Sequence, residues 1–134
     1  MRLWHKELID VLPRQQLLGQ WRECCCIALN LSKSGTPNHI LVNKILDYPI
    51  DEFFEYTENV INEMKSRGYK VQPDKFWKYF PYKTFTYTNN LYKDWHNERY
   101  LKQCLFNLEE KYDCGGITSE EWSKILRKHE RKLY

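Results

Sequence analysis

Arg22 and Glu23 stand side by side in LPRQQLLGQWREC, residues 12–24, with Gly19 three residues before the arginine and four before the glutamate. A carboxylate beside a guanidinium offers two kinds of chemistry. The carboxylate moves protons, and the guanidinium holds a phosphate or a developing negative charge. If the segment is helical, Gly19, Gln20, Cys26 and Ile27 surround Glu23 on one face. Gly19 costs such a helix about 1 kcal/mol relative to alanine, and its missing side chain leaves room beside the pair for a ligand or another backbone. From spacing alone, the commoner outcome is helix packing with a solvated surface ion pair.

Other groups invite the same weighing. Arg2, Lys6, Arg14 and Arg22 form a basic strip near the N-terminus, suited to phosphates but equally readable as a solvated face. His39, beside Asn38, either touches a phosphate or an extruded nucleotide or is a hydrogen-bonded turn histidine. The aromatic run Phe76, Trp77, Tyr79, Phe80, Tyr82, Phe85 and Tyr87 reads as core or loop packing before it reads as a base-stacking platform. Cys24, Cys25 and Cys26 diverge around a helix, and Cys104 and Cys114 have no paired ligand motif. Spacing therefore supports neither zinc nor a disulfide framework, and reduced core thiols are expected.

The elements that must position these groups follow from periodicity. Pro13 suits a first helical turn, and Leu17, Leu18, Trp21, Cys24, Cys25 and Ala28 mark a buried stripe, which predicts a helix from about Pro13 to Asn30. Turn residues at 33–38 break it, and a short helix is expected over His39 to Leu46. Pro49 opens the clearest amphipathic helix, with Ile50, Phe53, Phe54, Thr57, Val60, Ile61 and Met64 on one face and Gly68 at its end. Thr84 to Thr88 alternates as a short strand would. Leu101, Cys104, Leu105, Leu108 and Tyr112 predict a helix closed near Gly115, and Thr118 with Glu121 forms a capping box ahead of Trp122, Ile125, Leu126 and His129.

This pattern predicts a mainly α chain whose 134 residues fit one compact helical domain. With 42% hydrophobic and 16% aromatic residues it has material for a core, and it carries no apolar run of the ~18–20 residues a span needs. The N-terminus lacks a signal-peptide core, so a cytoplasmic location is expected. A formal net charge of +3 permits a nucleic-acid partner without demanding one.

The stretches MRLWH, LPRQQLLGQWREC and GTPNHILVNKILDYP resemble the pyrimidine dimer DNA glycosylase family, of the phage endonuclease V type, and most closely a bacterial branch of it. Weaker echoes lie in MKSRGY, residues 64–69, and HNERYLKQCLFNLEEK, residues 96–111. The resemblance implies a single mainly helical domain and a monomer acting on damaged double-stranded DNA as a glycosylase with coupled abasic-site lyase activity. It also implies a nucleophile that is the chain's own terminal amine, without metal or organic cofactor. Glu23 matches the family's catalytic carboxylate and Arg22 the basic residue beside it. Because the bulky Arg2 disfavours removal of Met1, Met1 itself is expected to supply the amine. An α-amino group with a pKa near ~7.7–8.0 is roughly a tenth neutral at pH 7, far more than a lysine near ~10.4.

On this resemblance Arg2, Arg14, Gln16 and His39 are the expected DNA contacts. The phage members carry a histidine where this chain has Gln16, an arginine where it has Cys26, and an aromatic basic tail where it has residues 127–134. Recognition of a thymine dimer therefore does not carry over with the fold. Two other functions stay open on the sequence: a non-catalytic DNA-binding relative, and a protein-interaction module using the aromatic segment.

Overall fold

Helix after helix follows the apolar periodicity, and a computed structural model describes residues 2–81 and 84–133 of the chain. Met1, Tyr82 and Tyr134 lie outside the described residues. A 3-10 turn at Lys6–Val11 leads into α1 (Arg14–Ser34), and a second at Asn43–Asp47 precedes α2 (Ile50–Ser66). The single turn α3 (Asp74–Trp77) follows, then α4 (Glu98–Asp113) and α5 (Ser119–Leu133). α1 packs on α2 and α4 on α5, while the first 3-10 turn lies against both α2 and α5. No strand forms among the described residues, and none of their helices is long and apolar enough to cross a membrane.

α1 begins where Pro13 allows it, with no side-chain cap of its own. Instead, the Arg14 backbone N–H donates to the Glu121 carboxylate of α5 at 2.8 Å, so a tertiary contact satisfies a donor that the first turn leaves free. The helix runs four residues beyond the Asn30 expected from sequence. Ser32 and Ser34 turn their hydroxyls back onto the Leu29 and Asn30 carbonyls, at 2.7 and 3.1 Å, which reconciles turn-forming residues with a helical last turn. Gly35 then ends it at φ 73°, where a Cβ would be strained.

The short helix expected over His39 to Leu46 is replaced by a tight turn and the later 3-10 segment. The Asn43 side chain accepts the His39 N–H at 3.1 Å, the Val42 and Asn43 N–H groups both return to the His39 carbonyl, and Asn38 adopts φ 62°, so the segment closes as one side-chain-capped turn. α2 matches its sequence pattern closely. It ends on Gly68, with the Tyr69 N–H returning to the Met64 carbonyl at 2.9 Å.

The strand expected at Thr84 to Thr88 is absent. Thr88 gives its N–H to the Glu55 carboxylate at 2.7 Å rather than to a neighbouring strand, Tyr92 gives its own to Glu52 at 2.8 Å, and the Trp77 indole bonds Glu58 at 2.7 Å. Three acids spaced by three on α2 thus hold the irregular segment in place. Most of its described aromatics pack on the core, where Phe54 of α2 is ringed by Trp77, Phe80 and Phe85 with ring centroids 5.1, 4.8 and 5.9 Å away, while Tyr87 is exposed. The capping box of α5 forms as expected, Thr118 and Glu121 exchanging backbone-to-side-chain bonds of 3.0 and 3.1 Å.

Candidate active site at the N-terminal segment

Glu23 sits half-buried on the middle of α1, and the N-terminal segment crosses the helix beside it. The Arg2 backbone N–H donates to Glu23 Oε2 at 3.3 Å. Gln20, one turn earlier and fully buried, holds the segment down. Its Nε2 donates to the Arg2 carbonyl at 3.0 Å and lies 3.4 Å from Glu23 Oε2, while its Oε1 accepts the Trp4 N–H at 2.7 Å. The Tyr56 hydroxyl of α2 reaches both the Trp4 carbonyl (2.6 Å) and Gln20 Oε1 (2.9 Å), sharing its one proton between two acceptors.

From the other side, α4 supplies Tyr100, whose hydroxyl donates to the Leu3 carbonyl. His96, just before that helix, accepts the Lys6 N–H on Nδ1 at 2.9 Å. Every residue from Arg2 to Lys6 but His5 is therefore fixed through its backbone by a side chain from α1, α2 or the start of α4. His5 instead stacks on His96 with ring centroids 5.1 Å apart.

The remaining candidates are distributed unevenly. Arg2 stays at the site, its guanidinium 5.3 Å from the centre of the Trp4 ring and 3.9 Å from Cys104 Sγ. Arg22 is exposed and forms no ion pair with Glu23 among the described residues. Its Nη2 lies 3.8 Å from where a Gly19 Cβ would stand, an ordinary van der Waals separation, so the guanidinium passes beside the glycine. Gln16 lies on the Glu23 face of α1, about 10 Å away by helical rise, with its buried Oε1 lacking a hydrogen-bond partner among the described residues. Arg14 is not brought to the site. Nine residues place it about 13 Å along α1 on the opposite face, over the Tyr69 ring at 5.6 Å. His39 is engaged in its own turn, where Nδ1 accepts the Leu41 N–H at 3.2 Å. Lys6 binds Asn90 Oδ1 and the Leu91 carbonyl, at 2.9 and 2.7 Å.

Beside Arg2 opens a cleft of about 580 Å³, walled by Trp95, Asn97, Arg99, Tyr100 and Gln103 on one side and by Ile40, Leu41 and Lys44 on the other. Sequence reasoning missed Gln20, Tyr56, His96 and Tyr100. Gln20 had a signal, a polar residue one turn from Glu23 on the buried side. The other three become relevant only through folding.

Burial drives Cys24 and Cys25 away from nucleophilic use. The Cys24 thiol is pushed far up and Cys25 up to about 11, so neither ionises near neutral pH. No group of three or more His, Cys, Asp or Glu able to hold a metal occurs among the described residues.

Burial acts on the histidines in the opposite sense. It pushes His96 down to about 2, helped by the positive charge of Lys6 and the nearness of His5, and it lowers His5 as well. An unfolded histidine near 6.5 binds a proton that folded His96 refuses, so stability is full above pH ~6.5 and falls as the pH drops. His96 alone is expected to cost about 2 kcal/mol between pH 7.5 and pH 5. Urea melts at the two pH values measure this. His96→Asn, which keeps an acceptor for the Lys6 N–H, should flatten the difference, whereas an unchanged pH dependence would assign it to His5 and His129.

Residues 1–76, more than half of the chain, match the model of a family described as pyrimidine dimer DNA glycosylase. No curated protein and no solved structure matched the chain. The matched stretch contains the N-terminal segment, α1 and α2, and thus Glu23, Gln20 and Tyr56. His96 and Tyr100 lie beyond it.

Proposed function

We propose, since the chain belongs to the pyrimidine dimer DNA glycosylase family, that it removes a damaged base from duplex DNA and cleaves the strand at the resulting abasic site through an imine on its N-terminal amine. One observation carries the reading: the Glu23 carboxylate lies 3.3 Å from the Arg2 nitrogen. Three covalent bonds, with a summed length of about 4.3 Å, connect that nitrogen to the Met1 amine, so connectivity alone keeps amine and carboxylate in one neighbourhood.

The chemistry follows from the groups. The neutral Met1 amine attacks C1′ of the damaged deoxyribose, forming a C–N bond as the C1′–base bond breaks; the base departs with its electron pair and is protonated from water, and the Glu23 carboxylate takes one proton from the new ammonium nitrogen. Opening of the C1′–O4′ bond, with a proton delivered to O4′ by the carboxyl of Glu23, leaves a protonated imine at C1′. Glu23, again a carboxylate, then takes a proton from C2′. The C–H electrons form the C2′–C3′ double bond and expel the 3′ phosphate, and water hydrolyses the imine to release the amine. Arg22, exposed next to Glu23 on α1, and Arg2, whose backbone meets that carboxylate, are suited to the flanking phosphates.

Borohydride trapping tests this. Incubated with a duplex carrying an abasic site, the protein should yield a covalent adduct stable to denaturation, and an uncleavable residue added before Met1 should abolish it. DNA binding without any adduct, on abasic or ultraviolet-damaged duplex, would instead identify a non-catalytic relative.

A further inference from the structure

Two adjacent aliphatic side chains are held out in solvent at the edge of the cleft beside Arg2: Ile40 is 84% exposed and Leu41 50%. Single exposed aliphatics are ordinary, but this pair occupies a turn built to keep them out. Asn43 Oδ1 accepts the His39 N–H at 3.1 Å and stands 3.5 Å from the Thr36 hydroxyl. The Val42 and Asn43 N–H groups both return to the His39 carbonyl, at 3.0 and 2.9 Å, and Leu41 is tied to the His39 ring. Pro37 and Val42, flanking the tip, are buried. A turn so bonded and anchored at both stems does not fold its tip back to hide apolar surface.

Around the tip, the cleft carries Arg2, Lys44 and Arg99, none in an ion pair among the described residues, against the single carboxylate of Asp94. Apolar prongs within a cationic rim complement a molecule with an anionic exterior and an apolar stacked interior, which is duplex DNA. Inserted aliphatic side chains unstack a base step and kink the helix.

We infer that the Ile40–Leu41 turn is a wedge that enters the base stack next to the lesion and opens it, so that the damaged sugar reaches Glu23. The inference rests on the DNA-repair reading above. It assigns the turn a task needed on a duplex and superfluous on a single strand, where no paired stack has to be opened.

The test compares the wild-type chain with an Ile40→Ser, Leu41→Ser double variant on duplex and single-stranded oligonucleotides of the same sequence containing an abasic site. A 2-aminopurine neighbouring the lesion reports unstacking without requiring chemistry. Wild type should raise its fluorescence several-fold in the duplex. The double variant should lose that rise and form the duplex adduct at least tenfold more slowly, while staying within twofold of wild type on the single strand. Unchanged duplex trapping, equal loss on both substrates, or no rise in wild-type fluorescence would overturn the wedge. An unchanged rate on DNA would also leave the exposed pair to a protein partner. Should no adduct form with any DNA, the glycosylase reading fails by itself. The wedge then stands if the double substitution removes the wild-type fluorescence rise and falls if it does not.

Discussion

Glu23→Gln should lower borohydride-trapped adduct formation on abasic duplex by about 10²- to 10⁴-fold, the range supplied by a positioned acid or base, while leaving DNA affinity nearly unchanged. The amide retains an oxygen to accept the Arg2 N–H that Glu23 now accepts at 3.3 Å, and Gln20 Nε2 at 3.4 Å still has an acceptor beside it. The N-terminal segment therefore keeps its course across α1. What disappears is the capacity to give a proton to O4′ and take one from C2′, which a carboxamide cannot do at neutral pH. Single-turnover trapping separates these effects, and gel shifts at fixed salt report affinity. A variant trapping DNA as fast as wild type would remove Glu23 from the mechanism, whatever its nearness to the terminus. Arg22→Ala should behave differently, weakening binding and its salt dependence more than the chemical step, as expected for a phosphate contact.

Gln20→Met should be almost as damaging to the reaction, through geometry rather than proton transfer. Methionine fills a similar volume but offers no hydrogen bond to the Trp4 N–H at 2.7 Å or to the Arg2 carbonyl at 3.0 Å. Each buried group so orphaned costs about 1–3 kcal/mol, and the cheapest relief is for residues 2–4 to lift from the helix. A shift of about 1 Å in a reacting group can cost about 10²-fold in rate, and an amine carried on this segment would move with it. The expected result is a chain that still melts cooperatively at a lower temperature, binds abasic DNA within a few-fold of wild type, and traps it about 10²-fold more slowly. Equal trapping at a temperature where both proteins are folded would show that Gln20 only stabilises the fold. Tyr56→Phe provides a milder step in the same direction, because the Trp4 carbonyl loses one donor while Gln20 keeps its other bonds.

Both expectations depend on a division of labour set by helix geometry. Glu23 and Gln20 lie three residues apart on α1, so the same face that presents a carboxylate also presents the clamp for the backbone beside it. Arg22, rotated about 100° away, points to solvent over Gly19 and is left free for an anionic ligand. The adjacent pair that looks like a surface ion pair in the sequence is two groups with separate directions.

Much of this molecule was legible from residue order alone. The stripe from Leu17 to Ala28, the apolar face of α2, the capping box at Thr118 and Glu121 and the closure of α2 at Gly68 depend on interactions within a few residues, so local spacing determines them. So does the divergence of Cys24, Cys25 and Cys26, which the fold renders as one buried, one half-buried and one exposed thiol. Residues 84–88 show the limit, since their alternation satisfies a strand and yet their backbone partner is a carboxylate of α2, far away in sequence. The turn at 38–42 shows it too, where the Asn43 side chain caps a single turn at His39 in place of a helix running on to Leu46.

The candidate site divides along the same line. Family resemblance and helical spacing together bring Glu23 and Arg22 forward from sequence. Only the tertiary structure decides that the Arg2 backbone meets that carboxylate and that Tyr56, His96 and Tyr100 hold the terminal segment. These are contacts between residues 21 to 97 positions apart. Periodicity records which face of an element is apolar, but not which distant polar side chain a buried backbone group will find; that is settled only when packing removes water and leaves each buried N–H and carbonyl needing a partner.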